Sequence, residues 1–146
     1  MNPRALSRRI PGPYMVSIDT CVSCGNCVVE CPIFKASGEK IHIPGFRARE
    51  ILRVQRGIRS SELTRSIFEC TMCGYCQEAC PFEIRLNPIY LWARSTLYRE
   101  GLAPREAYEA VRAVRDTHNI SGRPNQGRME WLPVSYTHLR AHETEA

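Results

Sequence analysis

Cys21-Val-Ser-Cys-Gly-Asn-Cys-Val-Val-Glu-Cys-Pro32 and Cys70-Thr-Met-Cys-Gly-Tyr-Cys-Gln-Glu-Ala-Cys-Pro81 are two copies of one pattern, C-x2-C-G-x-C-x3-C-P, set 49 residues apart. All eight cysteines of the 146-residue chain lie within them. Three cysteines at intervals of three let a short loop wrap three corners of a sulfur-rich polyhedral group, with backbone N–H groups turned toward the sulfurs. Gly25 and Gly74 supply the positive φ or close approach that such a wrap needs. Pro32 and Pro81 follow the fourth cysteine of each copy and lead the chain away. The repeat duplicates a site and is not a solenoid unit.

Working outward, four disulfides are the first alternative. The basic start, Met1 to Pro13, has no apolar h-region, so it does not read as a secretory signal. The longest apolar candidate, Ile89 to Ala93, ends at Arg94, far short of the roughly 20 residues a spanning helix needs. A cytoplasmic location is therefore expected, where clustered thiols suggest metal rather than disulfides. Zinc is the second alternative. It favours paired C-x2-4-C knuckles with a longer spacer, and not four cysteines packed into one short stretch. The pattern is that of two 4Fe-4S clusters. In two-cluster ferredoxins the fourth cysteine of each run serves the other cluster. Cys21, Cys24, Cys27 and Cys80 are then expected to hold one cluster, and Cys70, Cys73, Cys76 and Cys31 the second.

The formal charge of +5 treats every cysteine as neutral. Two ligated clusters at about −2 each would leave the loaded chain near +1, so much of the basic excess offsets cluster charge. No nucleic-acid partner is expected. Eighteen of the 20 basic residues are arginine, which a GC-rich genome would produce without functional cause.

The rest of the chain reads as mainly α. Residues 1–13 form an extended arm and 14–117 a helical domain carrying both motifs. Residues 118–133 are an irregular linker, which could lead to a missing C-terminal module. Residues 134–146 resemble translated adapter sequence and are read as a non-native or unstructured tail. A helix is expected over 46–57, with Ala48, Ile51, Leu52 and Gln55 on one face, Arg49, Arg53 and Arg56 on another, and Gly57 as a stop. A second, capped by Ser60 or Ser61, runs to Glu69. The strongest signal is Asn87 as N-cap, Pro88 at the first helical position and Gly101 at the end, enclosing the stripe Ile89, Trp92, Ala93, Thr96, Leu97. A helix from Pro104 to Asp116 would pack Ala107, Tyr108, Val111 and Val114. Ile33, Phe34, Phe82 and Ile84 are expected around the clusters, with Phe68 and Tyr75 either as shields or as ordinary core. The arginine stripe reads as a solvated face, and His42 and His118 as surface or loop residues. No nucleophile–base arrangement, phosphate loop or nucleotide fingerprint is present, so a non-catalytic electron-transfer component is expected.

Two C-x2-C-x2-C-x3-CP runs separated by a helical insert, with Ile67-Phe68-Glu69 before the second run and a long helix after it, resemble the α-helical two-cluster ferredoxin domain. That domain occurs in the C subunit of heterodisulfide reductase and at the front of related Fe-S oxidoreductases, and the likeness covers about residues 14–130. The resemblance implies an iron–sulfur subunit that relays single electrons to a catalytic partner of a heterodisulfide-reductase-like or related respiratory oxidoreductase. Its partners would be the electron donor and the catalytic component, and peripheral association with a membrane complex is compatible. Two other readings stay open: a zinc-stabilised four-cysteine binding module, and the truncated front half of a catalytic Fe-S oxidoreductase.

Overall fold

The computed structural model describes residues 9–56, 60 and 62–126. Eight α-helices lie among them: α1 (Gly12–Asp19), α2 (Asn26–Val29), α3 (Pro32–Ser37), α4 (Pro44–Gln55), α5 (Leu63–Phe68), α6 (Tyr75–Glu78), α7 (Leu86–Arg99) and α8 (Arg105–Thr117). A single 3-10 turn, Lys40–His42, joins α3 to α4, and no strand occurs among the described residues. The mainly α reading therefore holds. α1 begins at Gly12, inside the span read as an arm; residues 1–8, Gly57, Ser61 and the 134–146 tail lie outside the described residues.

The first compact unit runs to Tyr108 and centres on α4, which packs against α1, α2, α5 and α7. Pro44 opens α4 at N1, where its missing N–H costs nothing. Residues 44, 47, 48, 51 and 54 then recur at helical spacing and are all buried. Ile51, Ile67 and Ile89, from α4, α5 and α7, have no exposed surface and form the centre of the core. Of the expected stripe of α7, Ile89, Ala93, Thr96 and Leu97 are buried and Trp92 is half-buried, with Tyr90 added; Tyr90 is fully buried and its hydroxyl donates to the Pro44 carbonyl at 2.6 Å. Gly101 (φ 74) ends α7, and the Leu102 N–H returns to the Leu97 carbonyl at 2.9 Å, the six-to-one bond of a Schellman turn.

Three local expectations change. Asn87 is not the N-cap of α7: the helix starts at Leu86, and the Asn87 amide instead donates to the Met72 carbonyl at 3.1 Å. Glu62, not Ser60, stands at the N-cap of α5, which begins without a side-chain cap, and Ser61 lies outside the described residues. His42 is buried, with Nδ1 2.6 Å from Ser37 Oγ and Nε2 2.5 Å from Glu69 Oε2. Sequence spacing hid this because its partners lie 5 and 27 positions away. The arginine stripe lies at the surface, as a solvated face requires, with Arg53 and Arg56 exposed, and its members also meet partners: Arg49 donates to Ser23 Oγ, Arg53 to Glu50 at 2.7 Å, and Arg56 lies 3.7 Å from Asp19.

Arg94 supplies the main polar tie of this unit. Its guanidinium donates to the carbonyls of Ile67, Phe68 and Cys70, where α5 ends and the second cysteine run begins, and lies 5.6 Å from the Phe68 ring centre. Burial holds its pKa below the usual arginine value. Carbonyls at a helix end have no intrahelical donor, so truncating Arg94 leaves several unmet at once. Arg94→Met is expected to cost roughly 2 kcal/mol, from charge-assisted hydrogen bonds lost to buried acceptors. Thermal unfolding of the iron-loaded protein checks this.

The second unit starts at Glu109 and carries the rest of α8 and a terminal turn. Thr117 Oγ1 donates to the Ala113 and Asn119 carbonyls, and Asn125 Nδ2 to the Thr117 carbonyl at 2.9 Å. The expected packing of Val111 and Val114 is not seen: both are exposed. Tyr108, the last residue of the first unit, does pack, its ring centre 4.5 Å from that of Tyr98 and its hydroxyl donating to the Tyr98 carbonyl at 3.0 Å. No helix among the described residues is long and apolar enough to cross a membrane.

Candidate metal centre

The two cysteine runs fold into the same loop. Gly25 and Gly74 both have φ 88, and each precedes a one-turn helix, α2 or α6, that carries the third cysteine. Two positions before each glycine stands a residue with a side chain at φ 59, Ser23 in one copy and Met72 in the other. Left-handed backbone at a residue with a Cβ persists only where its surroundings hold it. Here Arg49 holds Ser23 through its hydroxyl, and Asn87 holds Met72 through its carbonyl. Alternation of this kind turns successive N–H groups inward and makes a concavity suited to an anionic group. The Met72 N–H already reaches Cys70 Sγ at 3.5 Å.

The copies diverge after the proline. Pro32 begins α3, whereas Pro81 enters a turn with Glu83 at φ 53 before α7. Both departures carry the fourth cysteine across to the other loop, because α2 packs against α6.

A cavity of about 70 Å³ is lined by Cys21, Cys24, Gly25 and Cys27 of the first run together with Cys80 and Pro81 of the second. A smaller one of about 10 Å³ is lined by Cys70, Cys73, Gly74 and Cys76 together with Cys31 and Pro32. Cys76 lines both. In each case the second cysteine of the run, Cys24 or Cys73, is exposed, while Cys31 and Cys76 are buried. Ile84 and Phe82 stand at the first cavity and Ile33 at the second, whereas Phe34 lines neither; Tyr75 is exposed and borders neither.

Protonation follows from burial. Desolvation pushes the Cys76 thiol up to about 12, with the neighbouring sulfurs Cys70, Cys27, Cys73 and Cys31 adding to it. Cys27 is also raised, again chiefly by burial, against a backbone hydrogen bond from Gly45 that favours the thiolate. Such thiols carry protons on their own and lose them to a bound metal, whose charge inverts the local preference.

Three observations show that these residues fit a multi-iron group. The donors are all sulfur, the soft ligand set of iron–sulfur sites. Gly45 opens the wall of the first cavity: a Cβ there would sit 3.6 Å from Cys21 Sγ and 3.9 Å from Cys27 Sγ. At the second cavity the Arg47 side chain, 1% exposed, has Nε and Nη2 without a protein partner.

Residues 17–84 match the family of the 4Fe-4S dicluster domain. This segment is a 4Fe-4S dicluster domain. Its eight cysteines are the complement for two 4Fe-4S clusters. The chain is homologous to components of heterodisulfide reductases. The D subunit of dihydromethanophenazine:CoB–CoM heterodisulfide reductase from Methanosarcina barkeri is 27% identical over 154 residues, covering 90% of this chain and 36% of that one. The Hdr-like menaquinol oxidoreductase iron–sulfur subunit of Archaeoglobus profundus is 27% identical over 129 residues, 75% of this chain and 23% of that one. The C subunit of the H2:CoB–CoM heterodisulfide,ferredoxin reductase of Methanothermobacter thermautotrophicus is 31% identical over 111 residues, 74% of this chain and 55% of that one. The dicluster chain thus spans 36% of the length of the first relative named. No solved structure matches it.

Every cysteine, both glycines and both prolines singled out in the sequence line one or other of the two cavities. Sequence reasoning missed Arg47, Gly45 and Asn87. Arg47 had a usable signal, since it falls in register with Ala48, Ile51 and Val54 on the apolar face of α4, where an unpaired charge has no structural reason to be.

Proposed function

We propose that this dicluster chain relays single electrons between a donor and the catalytic partner of a heterodisulfide-reductase-like or related respiratory oxidoreductase. We also propose the crossed ligand sets, Cys21, Cys24, Cys27 and Cys80 for one cluster and Cys70, Cys73, Cys76 and Cys31 for the other. The observation that carries this reading is the pair of adjoining cavities, each lined by the first three cysteines of one run and the fourth of the other, with Cys76 shared between them. A bound 4Fe-4S cluster supplies a station that stores one electron.

The chain's own part is positional. Gly25 and Gly74 turn the loops around the sulfurs, and Pro32 and Pro81 carry Cys31 and Cys80 across to the opposite loop. The exposed Cys24 and Cys73 mark the edge of each site that a redox partner can approach. Burial of Cys31 and Cys76 keeps the adjoining sides dry, where electrostatic effects on potential are largest. An electron donor and a catalytic component as partners accord with the relatives, which are named as parts of reductases and a menaquinol oxidoreductase, and a cytoplasmic setting belongs to the same proposal.

Anaerobic purification followed by iron and acid-labile sulfide analysis is expected to give about eight of each per chain. Dithionite reduction should then give a spin-coupled EPR spectrum of two neighbouring clusters. Zinc in place of iron, without sulfide, would overturn the reading.

A further inference from the structure

Arg47 is the buried charge that the reading above leaves without a task. It projects from the core face of α4, is 1% exposed, and lines the second cavity beside Cys31, Cys70, Cys73 and Cys76. Its Nε and Nη2 have no hydrogen-bond partner in the protein, and the ion pairs of α4 go to its neighbours: Glu50 pairs with Arg53, and Asp19 with Arg56. A guanidinium removed from water without a counter-charge is strongly disfavoured and is kept only where something anionic meets it. On this wall the sulfurs are the only anionic chemistry available. The first cavity has no counterpart, for the arginine at its rim, Arg49, is half-exposed and engaged with Ser23.

We propose that Arg47 is a tuning residue for the Cys31/Cys70/Cys73/Cys76 site: its guanidinium donates to the sulfur-ligated group held there and makes this site the preferred resting place of the electron. The proposal rests on the two-cluster reading above. On reduction, one electron from a one-electron donor takes the charge facing Arg47 from about −2 to about −3. No bond breaks and no proton moves, because a guanidinium stays protonated throughout. A buried positive charge favours the more negative state, so the second site takes the higher potential. Arg94, whose charge also acts on Cys70, adds to the same bias. The two stations are thereby unequal, which gives the relay a direction.

The test is an EPR-monitored potentiometric titration, with dithionite as reductant, of the wild type, Arg47→Gln and Arg47→Lys. Loss of Cys24 and of Cys73 in separate variants assigns the two spectral components. In Arg47→Gln the second component is expected to be reduced less at a given potential, its reduced-to-oxidised ratio falling about tenfold or more, as loss of a charge-assisted hydrogen bond implies. The first component should stay in place. Arg47→Lys keeps the charge but not the planar fork, and should shift the second component in the same direction by less. Should Arg47→Gln fail to hold its second cluster, the lysine variant decides alone. An unmoved second component in whichever variant holds both clusters, or an equal shift of both components, overturns the proposal. A wild type with about four iron and a single component would instead overturn the two-cluster reading.

Discussion

Cys31→Ala is expected to remove about four of the eight iron, and the cluster that disappears should be that of the other motif. Cys31 ends the first run in sequence, yet in space it stands with Cys70, Cys73 and Cys76. Its burial leaves no room for a water or buffer ligand to take its place. The surviving spectrum should match that of Cys73→Ala, while Cys80→Ala should match Cys24→Ala. Paired substitutions sharpen the contrast. Cys31→Ala with Cys73→Ala should keep half of the iron, because both belong to one site, whereas Cys31→Ala with Cys24→Ala should lose nearly all of it. The opposite pairing of spectra would show that each run serves its own cluster. Because the exchange ties the two loops together, each single loss should also lower the unfolding temperature of the remaining half.

Gly45→Val is expected to expel the other cluster. Gly45 is buried in the first turn of α4, and its missing side chain leaves the wall of the first cavity open beside Cys21 and Cys27. Alanine there would place a methyl in ordinary contact with both sulfurs, at 3.6 and 3.9 Å, so Gly45→Ala should keep its iron. Valine extends further into a cavity of about 70 Å³ and competes directly for the space a cluster takes. Neither change should greatly weaken the helix itself, since Gly45 stands in its first turn at a negative φ that other residues adopt. The expected result is a graded pair: about eight iron in the alanine variant, and about four in the valine variant with the spectrum of Cys24→Ala. A valine variant that retains all its iron and both components would show that Gly45 does not border the cluster.

The difference between the legible and the hidden residues follows from the range of their interactions. Cys21 to Pro32 and Cys70 to Pro81 announce their loops because the geometry is local: three-residue steps, a glycine at φ 88 and a departing proline all act within twelve positions. The ends of α7 were partly legible for the same reason. Gly101 closes the helix through bonds that span five residues or fewer. Asn87 was misread because a short polar side chain before an apolar stripe suits an N-cap, and the competing acceptor, the Met72 carbonyl, lies 15 positions back. His42 looked like a loop histidine until the fold brought Glu69 to its ring.

The sequence by itself therefore determined the chemistry of this protein: eight soft thiolate donors in two wraps, a helical scaffold, and the number of iron atoms those donors suit. The tertiary structure alone decided which residues surround each cavity. It set α2 against α6 so that each run ends in the other's cavity, left the wall at Gly45 bare, and turned Arg47 inward while its neighbours found partners at the surface. The physical reason is one of distance. Ligand spacing is written into consecutive residues, whereas the charge and burial around a bound group come from elements far apart in the chain and exist only once the core has closed.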